Sequence, residues 1–155
     1  MHVRDIMETT FVVVGEHTSY KDVAELIYAS GNSYVFVVDE ANRLTGIISE
    51  EDLLRVLFPH YQSYYLNPET YTDPEEREHK IQEVQHNPIW HFMNKEVHTA
   101  TPDEPIMRAA ARMLAKNKRL LPVIEEGILI GMITRKRVYG ALYEAGLKQP
   151  IHVKS

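Results

Sequence analysis

An internal repeat limits the folds that this chain can adopt. Met7–Val38 aligns with Met93–Ile124 at a spacing of 86 residues, and Gly46–Ser49 aligns with Gly131–Thr134 at a spacing of 85. Few residues are identical, but the apolar blocks and turns follow one another in the same order. Because a solenoid needs three or more repeats, two copies indicate a pair of similar units related by pseudo-two-fold symmetry.

The composition narrows the class of protein further. The chain has 155 residues, of which 44% are hydrophobic and 25% are charged, as is typical of one globular domain or two small ones. The absence of cysteine excludes a disulfide scaffold, a thiolate zinc site and a cysteine nucleophile. The apolar runs are far too short to cross a bilayer, and the N-terminus lacks a signal peptide's apolar core, so we expect a cytoplasmic protein.

Both repeats show the pattern strand, helix, strand, strand, helix. For the first repeat we predict a strand over Thr10–Val14, a helix from Thr18 or Ser19 to Gly31, a hairpin of Tyr34–Val38 with Leu44–Ile48, and a helix from Ser49 to about Phe58. For the second we predict a strand over Val97–Ala100, a helix with Pro105 at its first position, strands over Leu120–Ile124 and Ile128–Ile133, and a helix from Thr134 to near Gly146.

A charged connector separates the repeats, which we place at residues 1–58 and 89–146, with a tail at 147–155. The connector, residues 59–88, contains four of the nine tyrosines. Asp73, Pro74 and Glu76 form a capping-box pattern, and Ile81 and Val84 provide a thin apolar stripe. We interpret this as an amphipathic helix docked on one unit; the alternative is a solvated spacer.

Four short motifs resemble those of the CBS (cystathionine β-synthase) domain. Val3–Met7 resembles its opening motif. Gly46–Leu54 resembles its closing motif, in which a glycine, two apolar residues and a Ser or Thr are followed three positions later by Asp. Leu121–Ile124 and Gly131–Thr134 resemble the Pro-Val strand and closing motif of a second copy. The chain therefore resembles a tandem CBS pair, or Bateman module.

This resemblance implies an α+β fold of two pseudo-symmetric βαββα units packed as one module, with two clefts between them. It also implies regulation by an adenosine-containing ligand and no catalysis. The expected ligand is AMP, ADP or ATP; S-adenosylmethionine, NAD and a cyclic dinucleotide stay open. We expect a stand-alone sensor that signals to an unknown regulated protein and forms a homodimer. Apolar residues of the closing helices are candidates for the dimer contact, or for internal core: Leu53, Leu54, Leu57, Val138, Ala141 and Leu142.

The first cleft is predicted to hold the ligand through Ser49 and Asp52. By resemblance these residues meet its phosphate or ribose, and an ionised carboxylate at a helix start can accept two hydroxyl donors. The same pair is also a capping box, which needs no ligand. The other unit is expected to complete this cleft with His98, Lys118 and Arg119, flanked by Val97 and Leu120.

The second cleft departs from the family pattern. Thr134 occupies the Ser/Thr position, but Arg137 replaces the Asp, and a guanidinium cannot accept from ribose hydroxyls. Arg135, Lys136 and Arg137 instead form a basic helix start suited to an anion. The facing positions are Val12, Ser33 and Tyr34. We therefore predict an asymmetric module with one ordinary nucleotide cleft and one altered or empty cleft.

Two other classes of function stay open. One is a structural or protein-interaction module with vestigial clefts and a contact surface formed by the connector tyrosines. The other is nucleic-acid binding through a basic patch, against which the net charge of −5 argues. His79, His86 and His91 lack the spacing of a metal motif, and no nucleophile motif or phosphate-binding glycine loop is present.

Overall fold

The computed structural model describes residues 1–70 and 78–147, and its elements follow the repeat. The first repeat contains α1 (Val3–Ile6), β1 (Val13–Gly15), α2 (Tyr20–Ser30), β2 (Tyr34–Val38), β3 (Leu44–Ser49) and α3 (Glu50–Leu57). The connector contains α4 (Tyr61–Leu66), a 3₁₀ turn over Pro68–Thr70 and α5 (Lys80–Val84). After a 3₁₀ turn at Ile89–His91 come α6 (Ile106–Ala115), β4 (Leu120–Glu125), β5 (Ile128–Thr134), α7 (Arg135–Leu142) and a π-helical turn, Tyr143–Leu147.

Two separate sheets result from these strands. In the first, β2 pairs in parallel with β1 and antiparallel with β3. The second consists of the antiparallel pair β4 and β5. This arrangement confirms the predicted α+β class. The turn between each pair of antiparallel strands contains residues with positive φ: Asn42 has a φ of 60°, and Glu126 and Gly127 have φ values of 52° and 82°.

The compact units do not coincide with the two repeats. One unit, here called the three-stranded unit, is Val12–Val97. The other, the two-stranded unit, combines Met1–Phe11 with the described residues from His98 to Leu147. The opening segment of each repeat therefore packs with the sheet of the other repeat.

Two methionine–glycine contacts explain this exchange. The side chain of Met93 lies against Gly46, and that of Met7 lies against Gly131. These glycines are buried, and a Cβ at either one would collide with its methionine. The missing side chain thus allows an opening segment to approach the strand backbone closely.

Backbone hydrogen bonds repeat the same arrangement in both units. Asn94 exchanges two hydrogen bonds with Ile47, at 2.9 and 3.1 Å. Glu8 exchanges two with Met132, both at 2.8 Å. Glu8 aligns with Asn94 and Met132 with Ile47, so the exchange follows the sequence repeat residue by residue.

Each unit has its own apolar core. The core of the three-stranded unit is formed by residues of α2, β1–β3 and α3, and by Val84 and Ile89 of the connector. Tyr20 is fully buried there and donates a hydrogen bond of 2.8 Å to the Leu53 carbonyl, while burial raises the pKa of its hydroxyl. Val84 of α5 is buried in this core, whereas Ile81 is 42% exposed, so the docked amphipathic helix over the whole connector stays a prediction. Asp73, Pro74 and Glu76 lie outside the described residues.

The predicted strand over Val97–Ala100 is wrong, and Pro122 explains why. Only Ala100 pairs with β4, through a single bridge to Val123. In the other unit, the Phe36 N–H donates to the Val12 carbonyl at 2.9 Å. The residue aligned with Phe36 is Pro122, which has no N–H, so this bond of the ladder cannot form.

A buried ion pair holds the same segment instead. Glu104 is 7% exposed and accepts two hydrogen bonds from Arg112, at 2.8 and 2.9 Å. It also accepts from the Thr101 N–H, while Arg112 donates to the Thr99 carbonyl. Burial alone would raise the pKa of Glu104, but the hydrogen bonds from Arg112 and Thr101, with the positive charges of Arg112 and Arg108, lower the pKa overall.

Substitution of the two glycines tests the exchanged packing. We expect Gly131→Ala to lower the free energy of unfolding by about 1–3 kcal/mol, because the new Cβ lies 2.8 Å from the Glu8 carbonyl oxygen. Gly46→Ala is expected to cost less, since it meets only the flexible Met93 side chain. Urea denaturation of both variants measures this difference. Equal effects, or a larger effect at Gly46, would contradict the packing described.

Neutralising Glu104 tests the ion pair. We expect Glu104→Gln to lower the free energy of unfolding at pH 7 by about 1–3 kcal/mol, because Arg112 loses its charged acceptor. Since the pKa of Glu104 is lowered on folding, its stabilisation is present above the ordinary glutamate pKa and is lost as the pH falls through the lowered value. Wild type should therefore lose more stability than Glu104→Gln between about pH 6 and about pH 3.

A surface pair supplies the control for this measurement. Glu51 pairs with Arg55 across one turn of α3, and both side chains are more than half exposed. Glu51→Gln should cost about 0–1 kcal/mol and leave the pH profile close to that of wild type. Parallel pH profiles for wild type and Glu104→Gln would refute the role given to Glu104.

Candidate functional site

Ser49 and Asp52 form the capping box of α3. The Ser49 Oγ accepts from the Asp52 N–H at 3.3 Å, and the Asp52 Oδ2 accepts from the Ser49 N–H and Oγ at 2.9 and 3.0 Å. Both residues are half-buried. The Asp52 Oδ1 accepts no hydrogen bond from any residue that the structure describes. The cap thus occupies one carboxylate oxygen and leaves the other available.

Thr134 and Arg137 occupy the equivalent positions at the start of α7 but interact differently. The Thr134 Oγ1 accepts from the Arg137 N–H at 3.1 Å, which caps the helix. The Arg137 Nε donates to the Ile6 carbonyl at 2.8 Å. The Asp52 side chain thus bonds within the cap of its own helix, whereas the Arg137 side chain bonds to a carbonyl of the N-terminal segment.

Of the other predicted residues of the three-stranded unit, Ser33 and Tyr34 lie next to Ser49 and Val12 lies two strands away. Tyr34 is paired with Ser49 across β2 and β3, and the Glu50 N–H donates to the Ser33 carbonyl at 3.3 Å. Val12 lies just before β1, on the other side of β2. This unit consequently contains residues that the sequence predicts for two different clefts.

The two-stranded unit gathers the remaining candidates at one end of its sheet. Leu120 is paired with Thr134 across β4 and β5. The Arg135 N–H donates to the Arg119 carbonyl at 3.1 Å, so Lys118 and Arg119 adjoin the start of α7. His98 lies two residues before the bridge at Ala100. Because His98, Lys118 and Arg119 belong to a different unit from Asp52, their assignment to the same ligand stays a prediction.

The basic start of α7 is used largely for structure. The Arg135 side chain donates to the carbonyls of Lys118 and Met113, at 2.9 and 3.3 Å. Together with the Arg137 bond to Ile6, two of the three predicted anion-binding cations therefore hold backbone carbonyls. Lys136 is exposed.

The sequence interpretation missed Glu104 and Arg112. These residues fix the backbone beside His98, through Thr99 and Thr101. They are eight positions apart, and no short-range spacing rule pairs residues at that distance. The nearest signal is a glutamate directly before the proline that precedes α6, which by itself indicates only a helix start.

Two further classes of site are not found within residues 1–70 and 78–147. There, no three His, Asp or Glu side chains converge in a way that could hold a metal ion. None of the helices in these ranges has the length and apolar character needed to cross a membrane.

Comparison with known proteins places these features in a family. The sequence profile of the CBS domain matches residues 3–59 and 89–144. The A-adding tRNA nucleotidyltransferase of Aquifex aeolicus is 29% identical over 93% of this chain, although the chain spans only 15% of that enzyme. The Methanocaldococcus jannaschii protein MJ1426, described as uncharacterised, is 31% identical, and the match covers 92% of this chain and 91% of that protein.

A solved structure agrees with this match. The structure of CBSX2 in complex with AMP superimposes with a TM-score of 0.71 at 26% identity. The superposition covers 93% of this chain and 97% of CBSX2. The repeat, the two α+β units and the profile match together show that this chain belongs to the CBS domain family and contains a tandem pair of CBS domains.

Proposed function

We propose that this CBS pair is a regulatory module that binds an adenosine-containing nucleotide through Asp52. The observation that carries the proposal is the hydrogen bonding of the two Asp52 carboxylate oxygens. Its Oδ2 is held by Ser49, which fixes the orientation of the group, and its Oδ1 has no partner among the described residues. A fixed, half-buried acceptor of this kind suits the hydroxyl groups of a ribose.

The position of Asp52 adds to its suitability. It lies in the first turn of α3, near the positive end of the helix dipole, which is a favourable place for an acidic side chain. The complex of CBSX2 with AMP supports an adenosine ligand, since that chain is 26% identical to this one over nearly its whole length. We assign His98, Lys118 and Arg119 to the same ligand, with the two cations nearest its phosphate.

The second site of the pair is proposed to be altered or empty. Arg137 supplies no acceptor for a ribose, and its Nε already donates to the Ile6 carbonyl. Binding of an anion by this guanidinium would have to compete with that bond. Any ligand of the second site must therefore be bound by different chemistry; the residues proposed for it, besides Arg137, are Thr134, Val12, Ser33 and Tyr34. One nucleotide per chain is the expected stoichiometry.

A regulatory role is supported by membership of the CBS domain family. The similarity to a segment of a much longer tRNA nucleotidyltransferase supports a module that modulates an activity located elsewhere. The nucleotide can shift such an activity only by its differential affinity for two states of the module.

Exposed apolar residues support a homodimer. Tyr28 and Leu54 of the three-stranded unit are 91% and 65% exposed, and the aligned Leu114 and Tyr139 of the other unit are 69% and 64% exposed. Each unit thus presents one tyrosine and one leucine at equivalent positions. Of the dimer residues predicted from sequence, Leu53 and Val138 are core instead, and Leu57, Ala141 and Leu142 pack against it.

Titration with nucleotides tests the proposed site. We expect calorimetry with AMP, ADP, ATP, S-adenosylmethionine and cyclic di-AMP to detect binding of an adenosine ligand, and Asp52→Asn to weaken it about 10- to 100-fold through loss of a charged acceptor. Asp22→Asn is the matched control, because Asp22 also follows a capping serine by three residues, at the start of α2, but is exposed. Wild-type affinity in Asp52→Asn would refute the assignment.

Sedimentation tests the dimer. We expect the 18.0 kDa chain to sediment as a dimer at micromolar concentration, and Leu54→Glu with Tyr139→Glu to make it a monomer, because burial of a carboxylate in an apolar contact is unfavourable. The variant Tyr65→Glu, on exposed α4, is the control and should stay dimeric. A monomeric wild type, or a dimer unaffected by the double change, would contradict this surface.

A further inference from the structure

We propose that two copies of this chain associate head to tail, so that the helices of the three-stranded unit in one copy contact the helices of the two-stranded unit in the other. This inference rests on the homodimer proposed above and specifies which faces meet. It starts from the charges of two helix pairs, since α2 packs beside α3 and α6 packs beside α7. The exposed side of α2 and α3 is called the acidic face, and that of α6 and α7 the basic face.

The two helix pairs carry opposite charge. α2 and α3 contain five acidic residues and two basic ones, which gives a formal charge of −3. α6 and α7 contain five basic residues and no acidic one. Because Arg112 is neutralised by Glu104, which lies outside these helices, the basic face keeps a formal charge of +4.

The opposite charges occupy equivalent positions of the repeat. At four of its five acidic positions, the acidic face aligns with a basic residue of the other face; these pairs are Asp22 and Arg108, Glu50 and Arg135, Glu51 and Lys136, and Asp52 and Arg137. Arg135 and Arg137 donate to backbone carbonyls, which are neutral, so their positive charges are not cancelled. Similar units that carry opposite charge on equivalent surfaces are suited to bind each other.

Both faces also contain exposed apolar side chains. Each has the exposed tyrosine and leucine described above, namely Tyr28 and Leu54 on the acidic face and Leu114 and Tyr139 on the basic face. Met107 of α6 is a further one, with 57% of its surface exposed. Stable interfaces combine an apolar centre with a polar rim, and the charges of the rim set the orientation of the partners.

Contact between like faces is less favourable. It would bring two surfaces of charge +4, or two of charge −3, against each other, and like charges at an interface oppose association. The head-to-tail contact joins a surface of each sign instead. A two-fold axis between the copies forms this contact twice, which closes the assembly as a dimer.

The effect of salt on dimerisation tests the sign of the interaction. We expect the dimer dissociation constant of wild type to rise about 5- to 50-fold between about 0.05 M and about 0.5 M NaCl, because salt screens attraction between opposite charges. Sedimentation at the two concentrations measures this change. Contact of like faces predicts the opposite sign, since salt would screen a repulsion. A dissociation constant that falls or stays constant would overturn the proposal.

Charge reversal on each face provides a second test. Glu25 of α2 and Lys136 of α7 are exposed, and Glu25→Lys and Lys136→Glu introduce residues that suit their places in the helices. We expect each change to weaken the dimer about 3- to 30-fold, because it reduces the opposite charge of one face. Tighter dimers would show that like faces meet. Glu40→Lys, in the exposed turn between β2 and β3, is the matched control and should keep the wild-type affinity.

Cross-linking identifies the faces directly. The chain has no cysteine, so Ala29→Cys on α2 and Ala111→Cys on α6, both at exposed positions, each provide a single thiol. After subunit exchange, we expect a short bismaleimide to cross-link a mixture of the two variants but neither variant alone. Gln62→Cys, exposed on α4, reports random collision when it is mixed with either variant. Cross-linking of each variant alone, or none above the random level in a dimeric mixture, would refute the head-to-tail contact.

The outcomes separate this inference from the proposals above. None of these measurements needs a nucleotide, so they are independent of the role of Asp52. If wild type is a monomer, the dimer and its orientation fail together. If Leu54→Glu with Tyr139→Glu disrupts a dimer whose like faces cross-link, the dimer stands and the head-to-tail arrangement is wrong.

Discussion

The contact of two methionines with two glycines determines which residues each unit contains. Met93 lies on Gly46 and Met7 lies on Gly131, so each opening segment is built into the sheet of the other repeat. The paired backbone bonds of Asn94 with Ile47 and of Glu8 with Met132 depend on this close approach. Any side chain at these glycines would separate the two backbones, which is why the contact constrains the rest of the structure.

The two units share a hairpin followed by a helix but have different side chains at equivalent positions. At the third position of the helix that follows the hairpin, one unit has Asp52 and the other has Arg137. The carboxylate caps its own helix and keeps one oxygen available, whereas the guanidinium binds the Ile6 carbonyl. A similar divergence separates Phe36 from Pro122. Pseudo-symmetry thus preserves the packing of the repeats but not the groups that a ligand would meet.

Local features of the fold could be predicted because local chemistry determines them. The Ser19 cap, the positive φ of Gly31 and the hairpin turns follow from residue types that favour those conformations. The strand before α6 was predicted wrongly, although Pro122 carried a signal, since proline cannot donate to a ladder. At the candidate site, the capping box of Ser49 and Asp52 was anticipated from spacing.

Other features could not be predicted from sequence spacing. The exchange of opening segments and the bond from Arg137 to Ile6 join residues far apart in the chain. The pairing of Glu104 with Arg112 depends on how α6 packs beside the segment that precedes it. Such contacts are consequences of tertiary packing, and helical or strand periodicity contains no information about them.

Chemical asymmetry of the pair, with Asp52 receiving the ribose, is central to the proposed function. A crystal structure of the protein with AMP tests it most directly. We predict one AMP per chain, with ribose hydroxyls within hydrogen-bond distance of the Asp52 Oδ1 and with Arg137 still bound to the Ile6 carbonyl. Ribose bound at Arg137, with no ligand near Asp52, would contradict it.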